Sequence, residues 1–236
     1  MKFDLSKIYE FNWGELYYTE LENELGIDAF RKLNTNQEQS LLQTRQDFKK
    51  MIKEDETLNS LEPEHQGSYY SQIFEREEWT IKELQRQQRY AIVLSIFSFF
   101  EGRMKHICDL IESRFEFKIK LSDLNNNEDL MRYWNYLEKV YEIENKSLET
   151  FFTPIKQQKI IRNVIAHQDG IIREEQIKKV KMVDGINIRE IGEKRQIDLG
   201  ENLYVIYLLN KIEAFFKEVL LLIDKRYKEK TLHNRT

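Results

Sequence analysis

Cysteine is nearly missing from this chain of 236 residues, Cys108 being the only one. One thiol cannot close an intramolecular disulfide or build a multi-thiolate metal site, so nothing asks for an oxidising compartment and the cytoplasm is the expected location. Breakers are scarce as well. Two prolines and eight glycines are too few for a turn-rich β sandwich. Long apolar runs are also lacking. The longest, Ala91 to Phe100 with two serines inside, spans about ten residues, against the roughly 20 that a membrane helix needs, so no membrane partner is expected. The opening residues, MKFDLSKIYEFNW, have no basic stretch followed by an uninterrupted apolar one and are not expected to act as a secretion signal.

What is there is the composition of a helical globular protein. Hydrophobic residues make up 41%, charged residues 33% and aromatics 12%, too apolar for disorder and long enough to bury a sizeable core. The net charge of −4 hides a segregation: residues 1–68 carry 8 basic and 14 acidic side chains, whereas residues 153–236 carry 17 and 12. A local +5 suits a polyanionic ligand, and equally a solvated helical surface.

The hydrophobic pattern predicts an N-terminal acidic helical arm over residues 1–67, with one helix from Trp13 to Leu25 ending at Gly26 and another from about Asn36 to Leu58. Leu61-Glu-Pro-Glu-His-Gln-Gly67 combines breakers and polar residues and is the expected linker, with the boundary near Gly67. The arm is expected to pack on the rest of the chain or to modulate access to it.

Residues 68–236 are expected to form a four-helix bundle with a small β insertion near 177–199, so the fold class is all-α. Tyr69 to about Phe117 reads as one very long helix or two joined by a bend, and its centre, AIVLSIFSFFEGRMKHICDLI, is apolar on nearly every side, as the spine of a core would be. An aromatic-rich helix follows, capped by Asn127. A third starts near Thr153-Pro154, with proline at its first position, and stops at Gly170. The period then changes to two. Asp184-Gly185 between alternating residues predicts a β-hairpin turn, with a third short strand from Arg195 to Leu199. Gly200 and Glu201 open the last helix, Leu203 to Tyr227, whose apolar residues recur at helical spacing.

Four histidines are available for chemistry. His65 lies in the expected linker, His233 in the C-terminal tail, and His106 has no second histidine at helical spacing for metal binding. No metal or cofactor site is expected. His167 stands apart, in Ile161-Arg162-Asn163-Val164-Ile165-Ala166-His167-Gln168-Asp169-Gly170, where polar groups gather at the end of a core helix. Asn163 and His167, four residues apart, share a face, so the amide can hold one imidazole nitrogen and leave the other for proton transfer. Arg162 and His167 lie about 140° apart and about 7.5 Å along an ideal helix. Across a two-fold axis they could converge and build one site from two copies. The same residues could also be a surface arginine and a polar pair satisfying helix-end carbonyls on an inert bundle.

Arg162 through His167 resembles the Arg, four to six residues, His signature of HEPN (higher eukaryotes and prokaryotes nucleotide-binding) domains, with Asn163 as the polar residue that commonly follows the arginine. The spine helix also resembles the family in closing its apolar run on an acidic residue, Phe99-Phe100-Glu101. The resemblance covers roughly residues 69–236.

It implies a metal-independent endoribonuclease, usually dimeric, of toxin–antitoxin or antiviral-defence type. RNA would be the substrate, and an antitoxin or regulator a further partner. On that reading His167 is general acid or base, Arg162 holds the scissile phosphate, Asn163 supports them, and Glu101 and Asp169 are secondary candidates. Some family members carry a modifiable tyrosine two residues after the histidine. Asp169 stands there in this chain, which argues against control by that modification and would favour the imidazolium. The alternative is a non-catalytic HEPN-like binding or adaptor module.

Overall fold

The computed structural model describes residues 11–125, 128–200 and 203–233. The chain is mostly helical with one small antiparallel sheet, in keeping with the all-α expectation. The expected cap Asn127 and the helix-opening Glu201 lie outside the described residues.

Four long helices form the frame: α1 (Glu15–Glu54), α4 (Glu75–Arg114), α6 (Asn145–Gln168) and α8 (Leu203–His233). Helix α4 touches the other three, and its Ile96, Phe97, Phe100, Met104, Ile107 and Ile111 are wholly buried. Removing such side chains from water stabilises a fold by roughly 1.5–3 kcal/mol each. Cys108 lies among them, and burial pushes its thiol well above the usual range.

The segment expected to hold two helices separated at Gly26 forms the single helix α1. Gly26 does not end it. A Cβ there would come within 2.4 Å of the Phe99 ring, so the glycine serves close packing of α1 on α4, not termination. Leu16, Tyr17 and Ile27 join the same buried cluster as the α4 and α8 side chains. Polar ties run alongside, from Arg103 to Asn23 and Glu22 and from Arg31 to Asn210.

The stretch expected to be a linker is also ordered. After α2 (Glu56–Ser60), Pro63 opens α3 (Pro63–Ile73) as its first residue, placing Gly67 inside a helix. A bend at Phe74, φ −109° and ψ −25°, separates α3 from α4.

Two further elements depart from expectation. The aromatic-rich segment is α5 (Asp129–Asn135) followed by a π-helical turn, Tyr136–Tyr141. Helix α6 begins at Asn145, so Pro154 sits in its interior, where the Thr150 carbonyl loses its usual donor. Burial holds that first half in place: Leu148 and Phe152 are in the core, and Phe152 stacks on Trp134 at 4.2 Å.

The expected hairpin lies elsewhere too. Residues 174–180 form α7 (Glu174–Val180), with acids in its first turn and lysines in its last, as a helix dipole favours. Asp184-Gly185 does make a turn, with Gly185 at φ +77°, but it joins α7 to a strand. The hairpin is β2 (Asn187–Ile191) with β3 (Lys194–Asp198), turned at Gly192, φ +59°. Strand β1 (Ile171–Ile172) pairs antiparallel with the other side of β3, giving the order β1-β3-β2.

Candidate functional site

The end of α6 carries the candidate residues, and its geometry follows from two left-handed positions. Asp169 and Gly170 take φ of +51° and +78°, and both donate their N–H to the Val164 carbonyl, closing the helix. Only glycine fits at 170. A Cβ there would lie 2.0 Å from the Tyr90 hydroxyl. That hydroxyl donates to the Ile197 carbonyl at 2.6 Å, while Ile197 N–H donates to the Gly170 carbonyl at 2.9 Å. Burial raises the Tyr90 phenol to about 12. Helix α4, the end of α6 and strand β3 are thereby locked together.

Arg162 is partly buried. Its Nη1 donates to Asn163 Oδ1 at 2.9 Å, and its Nη2 lies 3.9 Å from Glu101 Oε2 on α4. Glu101 thus belongs to the surroundings of Arg162. The expected Asn163–His167 pair is not formed, because the arginine takes the amide oxygen instead. His167 is exposed in the last turn of α6 and has no hydrogen bond or ion pair among the described residues.

Asp169 is drawn away from His167. Its Oδ1 and Oδ2 accept from Arg86 Nη1 and Nη2 at 2.8 and 3.2 Å, and its carbonyl accepts from Arg86 and from Gln196 Nε2. Arg86 also donates to both oxygens of Glu83 and lies 5.0 Å from the Tyr90 ring centre. The guanidinium, helped by Gln87, holds the Glu83 carboxyl down to about 2.

One protomer therefore brings Arg162, Asn163 and Glu101 together, leaves His167 to solvent, and ties Asp169 to a different helix. Arg86 was not among the expected residues. Its signal was available in Arg86-Gln-Gln-Arg89-Tyr90, two arginines one turn apart just ahead of the apolar run.

No family model, curated protein or solved structure matches this chain. Among the described residues there is no group of three or more His, Cys, Asp or Glu placed to hold a metal ion, and no helix long and apolar enough to cross a membrane.

Proposed function

We propose that this chain is an HEPN-type endoribonuclease that cleaves RNA without a metal, at a site composed from two copies. The observation that carries this reading is the end of α6. There an exposed, uncommitted imidazole, His167, follows a guanidinium, Arg162, held by Asn163 and facing Glu101.

Within one helix the two groups diverge, and a two-fold axis passing beside α6 sets Arg162 of one copy near His167 of the other. The ribose 2′-oxygen attacks phosphorus and the P–O5′ bond breaks, leaving a 2′,3′-cyclic phosphate and a free 5′-hydroxyl. One imidazole takes the 2′-hydroxyl proton and the other supplies a proton to the departing 5′-oxygen. Arg162 holds the phosphate oxygens as charge builds on them. The +5 balance of residues 153–236 favours a polyanionic strand. Toxin or antiviral-defence service in the cytoplasm, countered by an antitoxin or regulator, belongs to the same proposal.

A non-catalytic binding or adaptor module is the second reading. It draws on the missing Asn163–His167 bond, which leaves the imidazole tautomer unfixed.

Purified protein incubated with single-stranded or transfer RNA in EDTA separates the two. The nuclease reading expects 2′,3′-cyclic phosphate ends, a dimer in solution, and a 10²–10⁴-fold rate loss in His167→Ala, the scale of one general acid–base group. Wild type and variant that are equally inert would decide for the adaptor.

A further inference from the structure

Beside the end of α6, to which Arg86 ties it through Asp169, lies a cleft of about 310 Å³ bounded by α1, α4 and the β2–β3 hairpin. Arg45, Lys82, Arg86, Arg89 and Arg189 line it, and Asp198 is its one acidic lining residue. Five cations meet there on a chain whose net charge is −4.

These cations differ in how they are held. Arg89 pairs with Glu38 through two hydrogen bonds of 2.8 and 2.7 Å, Lys82 pairs with Glu78, and Arg86 with Glu83 and Asp169. Arg45 and Arg189 have no ion pair among the described residues. Arg45 donates to the Gln85 amide oxygen, and Arg189 to that of Gln196 at 3.2 Å. An amide oxygen orients a guanidinium without neutralising it. Asp198 accepts the Gly200 N–H at 2.8 Å and forms no ion pair there. The cleft therefore holds two guanidinium groups with no ion pair among the described residues, Arg45 from α1 and Arg189 from β2, beside three cations that are paired; Arg189 acts on Glu83 only through its longer-range charge. Tyr90, Ile197 and Leu199, all buried, back the cleft.

We propose that this cleft binds a phosphate-bearing nucleotide, free or as the end of a strand, with Arg45 and Arg189 closing on the phosphate oxygens. Guanidinium forks match phosphate geometry. The volume exceeds that of a lone phosphate and falls within the range of small-molecule sites, which leaves room for what the phosphate is attached to. The site does not depend on the nuclease reading, since none of Arg162, Asn163 or His167 lines it.

Titration calorimetry of the full chain with inorganic pyrophosphate, ATP and a 5′-phosphorylated tetranucleotide tests the proposal. ATP or the tetranucleotide should bind more tightly than pyrophosphate, and the tighter of those two identifies the source of the phosphate; pyrophosphate binding as tightly as either would overturn the assignment to a nucleotide. Arg45→Gln with Arg189→Gln should weaken that binding at least tenfold. Both side chains are exposed and leave no carboxylate unpaired, so the ligand-free melting temperature should stay unchanged. Lys118→Gln with Lys139→Gln makes the same charge change on other exposed lysines and should leave binding intact. Absence of binding at millimolar ligand would overturn the proposal. So would an undiminished double-arginine variant, or an equal loss in the lysine control.

Discussion

Where α4 and α8 finish, the bundle buries a carboxylate; where α6 finishes, it gathers guanidinium groups around a cleft. The two ends lie about 40 Å apart along α4. At the first, Asp224 accepts the backbone N–H groups of Asn12 and Trp13 and the Asn12 amide, at 2.7–3.1 Å. Trp13 lies over Tyr227 at 5.2 Å and edge-on to Phe115 at 6.0 Å. Every partner comes from the chain itself. At the second, Arg86 and Arg89 are committed to carboxylates, whereas among the described residues Arg45 and Arg189 donate to amide oxygens without forming an ion pair and His167 has no hydrogen bond or ion pair. The contrast separates two uses of polarity. Groups satisfied internally hold the fold, and groups left partly satisfied are available to a ligand.

The comparison breaks most severely at the aromatic end. Trp13→Ala removes a buried ring that joins the segment before α1 to α4 and α8, and should cost about 3–5 kcal/mol in chemical denaturation. It should leave anion binding at the far cleft unaltered in the residual folded protein. A loss below about 1 kcal/mol would mean that this end does not clamp the bundle.

Gly170→Ala tests the scaffold of the other end. The left-handed backbone and the collision with Tyr90 should together cost about 2–4 kcal/mol. The proposed phosphate binding and the proposed RNA cleavage should both fall with it, because hydrogen bonds tie Tyr90, Ile197 and the α6 cap to one another. A variant as stable as the parent would show that the three-way lock is loose.

Acid gives the smallest effect. The Glu83 carboxyl is held at about 2 against an ordinary 4.5. A depressed acid contributes stability that is full above the ordinary value and is lost as pH falls towards the folded one. Glu83 is about half exposed, so the whole-molecule change should be slight. Hydrogen exchange, corrected for intrinsic rates, should show the Gly170 and Ile197 amides loosening between about pH 4.5 and 2. Uniform protection across that window would deny Arg86–Glu83 any part in bracing the cleft.

The parts readable from sequence were those where one signal had no rival. Ala91–Phe100 admitted only a buried helix, and the spacing in 203–227 only an amphipathic one. Gly26 and Pro154 misled because their local preferences were outweighed by tertiary contact: Phe99 against α1 in one case, Leu148 and Phe152 in the core in the other. Asp184-Gly185 turned as its chemistry demands, but a turn residue does not say which element precedes it.

At the candidate site, Arg162 with Glu101 required α4 and α6 to lie side by side, which periodicity alone cannot supply. The Asn163–His167 pair was a sound local expectation, defeated by a nearer donor on the adjacent residue. Arg86 reaches residue 169 across 83 positions of chain, and no spacing rule spans that distance.

Cys108 has a practical consequence. It is sealed inside the spine helix with its thiol held protonated, so maleimide reagents should pass it by in the folded protein. A cysteine introduced at the exposed Ala166, beside His167, would then be the sole reactive thiol. Spin labels attached there in a wild-type background would report by electron paramagnetic resonance the separation of two α6 ends, giving a direct ruler for whatever assembly the chain forms.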